Sequence, residues 1–161
     1  SREMLLCAWF QPPVSDVLAE QCVAGRVLPH DLDYMGHMNN ARYLRECDFA
    51  RLDEHTHIGL PPWWWGPSTI RYRRSLAFGE AFDLRTSHRG MGRQSFFVEQ
   101  RFVSQGDGFI SAVMLCRQNV LRSNPESILQ AALQEKGGSV PDYPEDLQHW
   151  ISFISASSLR P

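Results

Sequence analysis

The stretch DLDYMGHMNNARYLRECDFAR, Asp31 to Arg51, decides how this chain folds. Its first half gathers two carboxylates, a glycine, a histidine and two asparagines. Its second half turns helix-friendly, with Ala41, Leu44, Cys47, Ala50 and, just beyond, Leu52 recurring at spacings of three and four. Polar side chains at a helix start either satisfy its orphan N–H groups or hold a ligand there. Asp31 or Asp33 is a candidate cap, while Asn39 and Asn40 are suited to hold the turn and helix start through side-chain bonds. Tyr43 and Phe49 add apolar surface outside the narrow stripe, which predicts a helix from Asn40 to about His55 wrapped by other structure. Arg42 and Glu46 read as an i,i+4 pair on it, and Asp48 and Asp53 as surface charges.

Upstream, SDVLAEQ offers a capped helical turn and CVAGRVLP an extended run, the first strand. Downstream, GLPPWWWGPS breaks the helix with Gly59 and two prolines. From Ser68 the period becomes two. TIRYRRSL, AFDLRTSHR, QSFFVEQRFVSQ and GFISAVMLCRQNVLR are four strands separated by turn chemistry, which predicts an antiparallel meander. SNPESILQAALQEK then reads as a capped helix, GGSVPDYPED as a linker and LQHWISFI as a short apolar segment that docks on the domain. The predicted class is α+β, an antiparallel sheet curled around one long helix, with a C-terminal helix and tail. The domain spans 14–136, followed by a linker and docking tail at 137–161. Residues 1–13, with their MLLCAWF run, are read as the remnant of a membrane-proximal segment. An exposed edge strand in such a sheet invites pairing across a two-fold, so a homodimer or larger homo-oligomer is expected.

The 161 residues suit one domain with a real core, and 43% hydrophobic with 21% charged residues argues against extensive disorder. A net charge of −2 gives no electrostatic footprint for nucleic acid. Lys136 is the only lysine, so the basic residues are nearly all arginine, whose planar fork suits phosphates and carboxylates. Cys7, Cys22, Cys47 and Cys116 form no C-x-x-C pair and read as free, mostly buried thiols; no metal site is expected.

DLDYMGHMNNARYL resembles the signature of hotdog-fold acyl thioesterases, the 4-hydroxybenzoyl-CoA thioesterase-like family, in which such a run joins the first strand to the central helix. RVLPHDLD, HMNNARYLRECDFAR, RRSL, RFVS, DGF and DLQHWIS together are similar to one branch of it, that of member six of the thioesterase superfamily. The resemblance implies hydrolysis of an acyl-CoA, without cofactor, with Asp33 at the catalytic carboxylate position. It places Gly36 on the glycine of the bend, the Asn40 N–H where the thioester carbonyl is held, and His37 and Asn39 on positions common in plant-type acyl-carrier thioesterases.

Those enzymes carry an asparagine where this chain has Met35, so a weak or vestigial enzyme, or a non-catalytic acyl-thioester binding protein, is the alternative. A hydratase reading would use His37 and Glu46, yet lacks that group's proline-glycine loop. For the rest of the substrate, the Trp63 to Trp65 run, represented by Trp64, suits an acyl tunnel, and Arg71, Arg73 and Arg74 of RYRR suit coenzyme A phosphates. Members of the branch carry a hydrophobic N-terminal segment. This implies membrane association, with the domain in the cytosol at the endoplasmic reticulum, or a secretory location if that segment is a signal peptide.

Overall fold

The computed structural model describes residues 19–58, 63–92, 95–120 and 143–158. Five strands and two helices follow in the order β1 (Gln21–Arg26), α1 (Asn40–Ile58), β2 (Trp63–Tyr72), β3 (Ala81–Gly92), β4 (Ser95–Ser104), β5 (Ile110–Val120) and α2 (Glu145–Ser158). The strands form one antiparallel sheet in the order β1-β3-β4-β5-β2. The predicted helices at SDVLAEQ and SNPESILQAALQEK lie largely or wholly outside the described residues.

Period-two burial sorts the sheet into two faces. Phe82, Leu84, Phe102, Ala112, Met114 and Cys116 meet Tyr43, Cys47 and Ala50 of α1 in the main core. On the opposite face Phe97 and Leu115 pack against Leu147, Trp150 and Ile154 of α2. The LQHWISFI segment is thus part of a 14-residue helix docked on the sheet.

Several expectations change. The meander is confined to β3-β4-β5, because β2 pairs with β5 at the far edge. The connection from β2 to β3 is not a tight turn. It first runs beneath the Asp31–Asn39 loop, where the Met38 N–H donates to the Leu76 carbonyl, and only then turns at Ala77–Glu80. The β2 strand starts at Trp63, ahead of Ser68, and absorbs Gly66 and Pro67 as a bulge, an irregularity that an edge strand tolerates. Nor does the sheet wrap α1 completely: Leu44 and Leu52 are exposed.

The charge assignments on α1 change as well. Arg42 reaches back to the His30 carbonyl and Asp31, while Glu46 is buried and pairs with Arg45. Asp48 is half-buried and pairs with Arg51. Burial raises the pKa of its carboxyl despite the opposing guanidinium. Arg51 itself is buried, donating to Gln100 Oε1 at 2.6 Å, and Gln100 Nε2 donates to the Cys47 carbonyl and Thr86 Oγ1. A buried guanidinium is tolerable only with partners of this kind. The side chain of Asp53 lies outside the described residues. Cys22, Cys47 and Cys116 are free, the last two buried, and burial raises the pKa of all three thiols.

Gly25 faces Phe82 across the β1–β3 ladder, and a Cβ there would stand 2.5 Å from the buried phenyl ring. Gly25→Ala is therefore expected to destabilise by about 1–3 kcal/mol through overpacking. Thermal unfolding should show a midpoint several degrees lower; an unchanged midpoint would mean that the ring relaxes freely.

Candidate active site

The loop between β1 and α1 is built almost entirely from its own hydrogen bonds. Pro29–Asp31 forms a 3-10 turn, and the buried Asp31 accepts from the Leu28 N–H through Oδ2 at 2.9 Å. Asp31 therefore caps this short turn, not α1. The cap of α1 is Asn39, whose Oδ1 accepts from the Ala41 N–H at 2.9 Å. Asp33 closes the bend between them: its Oδ1 accepts from the N–H groups of Met35 (2.8 Å) and His37 (3.2 Å). Its own N–H donates to the His37 carbonyl, and its carbonyl accepts from Gly36. Gly36 has φ +77°, the left-handed region, and open space where a Cβ would stand. Its glycine serves the bend itself rather than a close approach by the rest of the chain.

A census of this backbone isolates one donor. From Met35 to Arg42 every N–H has an acceptor, on Asp31, Asp33, Asn39 or Leu76, except that of Asn40. Among the described residues the Asn40 N–H has none, and it opens a helix of 19 residues. Asp33 Oδ2 likewise has no hydrogen-bond partner among the described residues, although Oδ1 has two. One free helix-terminal donor and one free carboxylate oxygen thus belong to the same short loop.

The end of β2 is tied to this place. Tyr72 Oη donates to the Asn40 carbonyl at 3.0 Å, and the Tyr72 ring meets Tyr43 edge-on at 5.3 Å between centroids. Arg71 and Arg73 flank Tyr72 and line an open groove of about 580 Å³ on the α2-bearing side, with Arg101, Glu99, Leu115 and Asp146. Neither has a carboxylate partner among the described residues; Arg73 stacks on Phe109 at 4.8 Å. Arg74, by contrast, forks onto Asp107 at 2.6 and 2.9 Å and holds that carboxyl well below the usual range.

The model of the thioesterase-like superfamily matches residues 27–151. The chain belongs to that family. It is 60% identical over 157 residues to protein THEM6 of Danio rerio, an alignment covering 92% of this chain and 77% of that protein. Among solved structures it is similar to the probable thioesterase YbaW of Escherichia coli (TM-score 0.60, 21% identity, 70% of this chain and 95% of that one). It is also similar to smu.793 of Streptococcus mutans bound to acetyl CoA (TM-score 0.59, 19% identity, 70% and 90%). The five-stranded antiparallel sheet with its two helices is the α+β hotdog fold of these thioesterases.

Within this family fold, Asp33, Gly36, His37, Asn39 and Asn40 share one loop, which Tyr72 contacts from the end of β2, while Arg71 and Arg73 beside it line the groove on the opposite face of the sheet. The His37 ring is exposed and joins neither Asp33 nor Glu46 by a hydrogen bond, so the pair a hydratase would need is not assembled. Trp64 pairs with Asn119 through its backbone, roughly 26 Å along β2 from Tyr72 at strand spacing. Its side chain lies outside the described residues. Tyr72 itself was missed by sequence reasoning, although alternation in RYRR sets it on the opposite face from Arg71. Among the described residues no three His, Cys, Asp or Glu side chains are placed to hold a metal.

Asp33 is both scaffold and candidate base, and the two roles separate by substitution. Asp33→Asn keeps an Oδ1 acceptor, whereas Asp33→Ala removes it and frees two N–H groups. Amide hydrogen exchange at Met35 and His37 should stay slow in the first variant and accelerate at least about tenfold in the second, the equivalent of roughly 1.4 kcal/mol. Equal exchange in both would deny the carboxylate its part in the bend.

Proposed function

We propose that this chain hydrolyses acyl-CoA thioesters at the Asp33–Asn40 loop. Membership of the thioesterase-like superfamily supports thioester hydrolysis generally. The observation that carries the finer reading is that the Asn40 N–H and one oxygen of the Asp33 carboxylate, both without a partner among the described residues, belong to the same short loop. Attack on a thioester places negative charge on its carbonyl oxygen. A preorganised N–H at a helix N-terminus, supported by the helix dipole, stabilises that charge most where water is excluded.

Asp33 Oδ2 then either takes a proton from the attacking water or attacks the carbonyl carbon and forms an anhydride that water opens. In both routes the thiolate leaves and is protonated, and the products are a free acid and a thiol. Asn39 and Tyr72 hold the helix start by its first N–H groups and carbonyl; Gly36 sets the bend. Coenzyme A is the thiol carrier that suits Arg71 and Arg73, which have no carboxylate partner among the described residues and lie on either side of Tyr72, the residue that touches Asn40. The solved relative with acetyl CoA is consistent with that choice. In the same reading the open edges β1 and β2 serve a homodimer.

One observation favours a second reading, a non-catalytic acyl-thioester binding module. Asp33 Oδ1 is spent on two backbone N–H groups, one of them that of Met35, which leaves a single carboxylate oxygen for chemistry. Turnover decides. Free-thiol release from acyl-CoA should exceed background in the wild type and fall at least about tenfold, or 1.4 kcal/mol, in Asp33→Asn. Binding without turnover in both proteins would establish the module instead. Arg71→Ala with Arg73→Ala should raise KM several-fold while leaving kcat nearly unchanged, the signature of lost ground-state binding. An equal fall in kcat would place those arginines in the chemistry.

A further inference from the structure

Three loops leave the sheet at one end. β1 and β2 finish there at Arg26 and Tyr72, β3 enters at Ala81, and the chain turns back from β4 to β5 between Ser104 and Ile110. On these loops Tyr34 is 97% exposed, Met35 64% and Phe78 61%, with Tyr72 and Phe109 exposed to a lesser degree. The loops are tied into one face. The β2–β3 loop is bound on one side to the β1–α1 loop, through the His37–Ala77 bridge and the Gly79 N–H on the Val27 carbonyl. On its other side Arg74 forks onto Asp107 of the β4–β5 loop. Most of the large exposed apolar groups among the described residues thus gather at this end, and such a gathering marks a contact surface.

We propose that this end of the domain rests on a phospholipid surface, with Tyr34, Met35 and Phe78 in the headgroup layer. Three observations favour lipid over a protein partner. The apolar groups project singly from loop tips and line no groove: at Gly36 and Gly79, next to Met35 and Phe78, nothing stands within 4 Å of where a Cβ would be. A protein partner needs a continuous shaped surface, whereas a headgroup layer accepts separate projections. The tip backbone is also largely satisfied from within. The Met35 and His37 N–H groups donate to Asp33 Oδ1, the Gly36 N–H to the Asp33 carbonyl, the Ala77 N–H to Glu80 Oε2 and the Gly79 N–H to the Val27 carbonyl. Such tips enter a water-poor layer without stranding those donors. The charges, finally, suit lipid phosphates. Glu80 is occupied by the Ala77 N–H and Ser104, and Asp107 by Arg74 and the Phe109 N–H. Arg26 is exposed, has no carboxylate partner among the described residues, and donates to the Gly79 carbonyl at 2.7 Å, which sets its guanidinium beside Phe78. The apolar tips supply affinity and the arginine a hold on the headgroups. The proposal stands apart from the thioester reading, because vesicle binding needs no turnover.

Co-sedimentation of the 161-residue chain with phosphatidylcholine vesicles, plain and mixed with phosphatidylserine, tests this face. Wild type should partition onto both, and the Tyr34→Ser, Phe78→Ser double variant should lose at least about tenfold in partition coefficient. Phe153→Ser removes a side chain of similar exposure, 59%, from α2 and should leave binding unchanged. Every protein in the series keeps the MLLCAWF run, so any binding through that run is common to all of them. Hydrogen exchange of the wild type reads the contact without a substitution: amides at 34–37 and 77–80 should slow when vesicles are added, and those of α2 should not. A wild type that stays in solution overturns the proposal, as does a double variant that binds like the wild type, an equal loss in Phe153→Ser, or slowing confined to other segments. So does a double variant whose only change is its oligomeric state by light scattering, since the face would then join two subunits.

Discussion

The site depends on one hydrogen bond buried beneath it, from the Leu76 N–H to the hydroxyl of Tyr43. Tyr43 lies one turn into α1, and Leu76 lies in the segment that leads from β2 to β3. Their bond fixes the helix start against a strand connection far away in sequence. The neighbouring Leu76 carbonyl then takes the Met38 N–H, which fixes the loop against the same connection. A phenol buried without a partner would cost a few kcal/mol, so the helix cannot rotate or slide without losing a bond it needs. Burial raises the Tyr43 pKa further above its ordinary value.

A second constraint acts further along α1. There the interior is polar: Arg51, Gln100 and Thr86 are all buried, and the Gln100 amide spends both its oxygen and its nitrogen on the cluster. At Cys47 and Ala50 the helix presents small apolar groups, which by themselves specify its position weakly. A guanidinium with directional partners specifies it more tightly. The apolar end of the helix thus supplies cohesion near the loop, and the polar end supplies alignment.

Much of this was legible in the chain. The strands after Ser68, the long helix after Asn40 and the apolar LQHWISFI segment are local patterns that folding keeps, whereas the start of β2 at Trp63 was hidden by its glycine and proline. The link of β2 to β5 was not legible, since strand order is a long-range property and a short-looking connection concealed the path of residues 73–80 beneath the loop. The arginines show the same limit. RYRR marks three arginines of equal promise, yet Arg74 is claimed by Asp107, which lies 33 positions away, and only the fold shows that Arg71 and Arg73 have no carboxylate partner among the described residues. At the loop the residue types marked a hydrogen-bonded turn and helix start but left the roles open: Asn39 caps the helix, Asp31 caps the turn before it, and Asp33 shapes the bend. The free Asn40 N–H emerged only by subtraction, once every neighbouring donor had been accounted for.

The bend from Asp33 to His37 is secured by backbone groups, one carboxylate oxygen and a left-handed glycine, while the side chains at 34 and 35 contribute nothing to holding it. Those two positions are therefore released from selection for folding. Over evolutionary time they can be exchanged freely, large for small or apolar for polar, with the machinery beside them undisturbed. A scaffold with that property diversifies by changing what it meets before changing what it does.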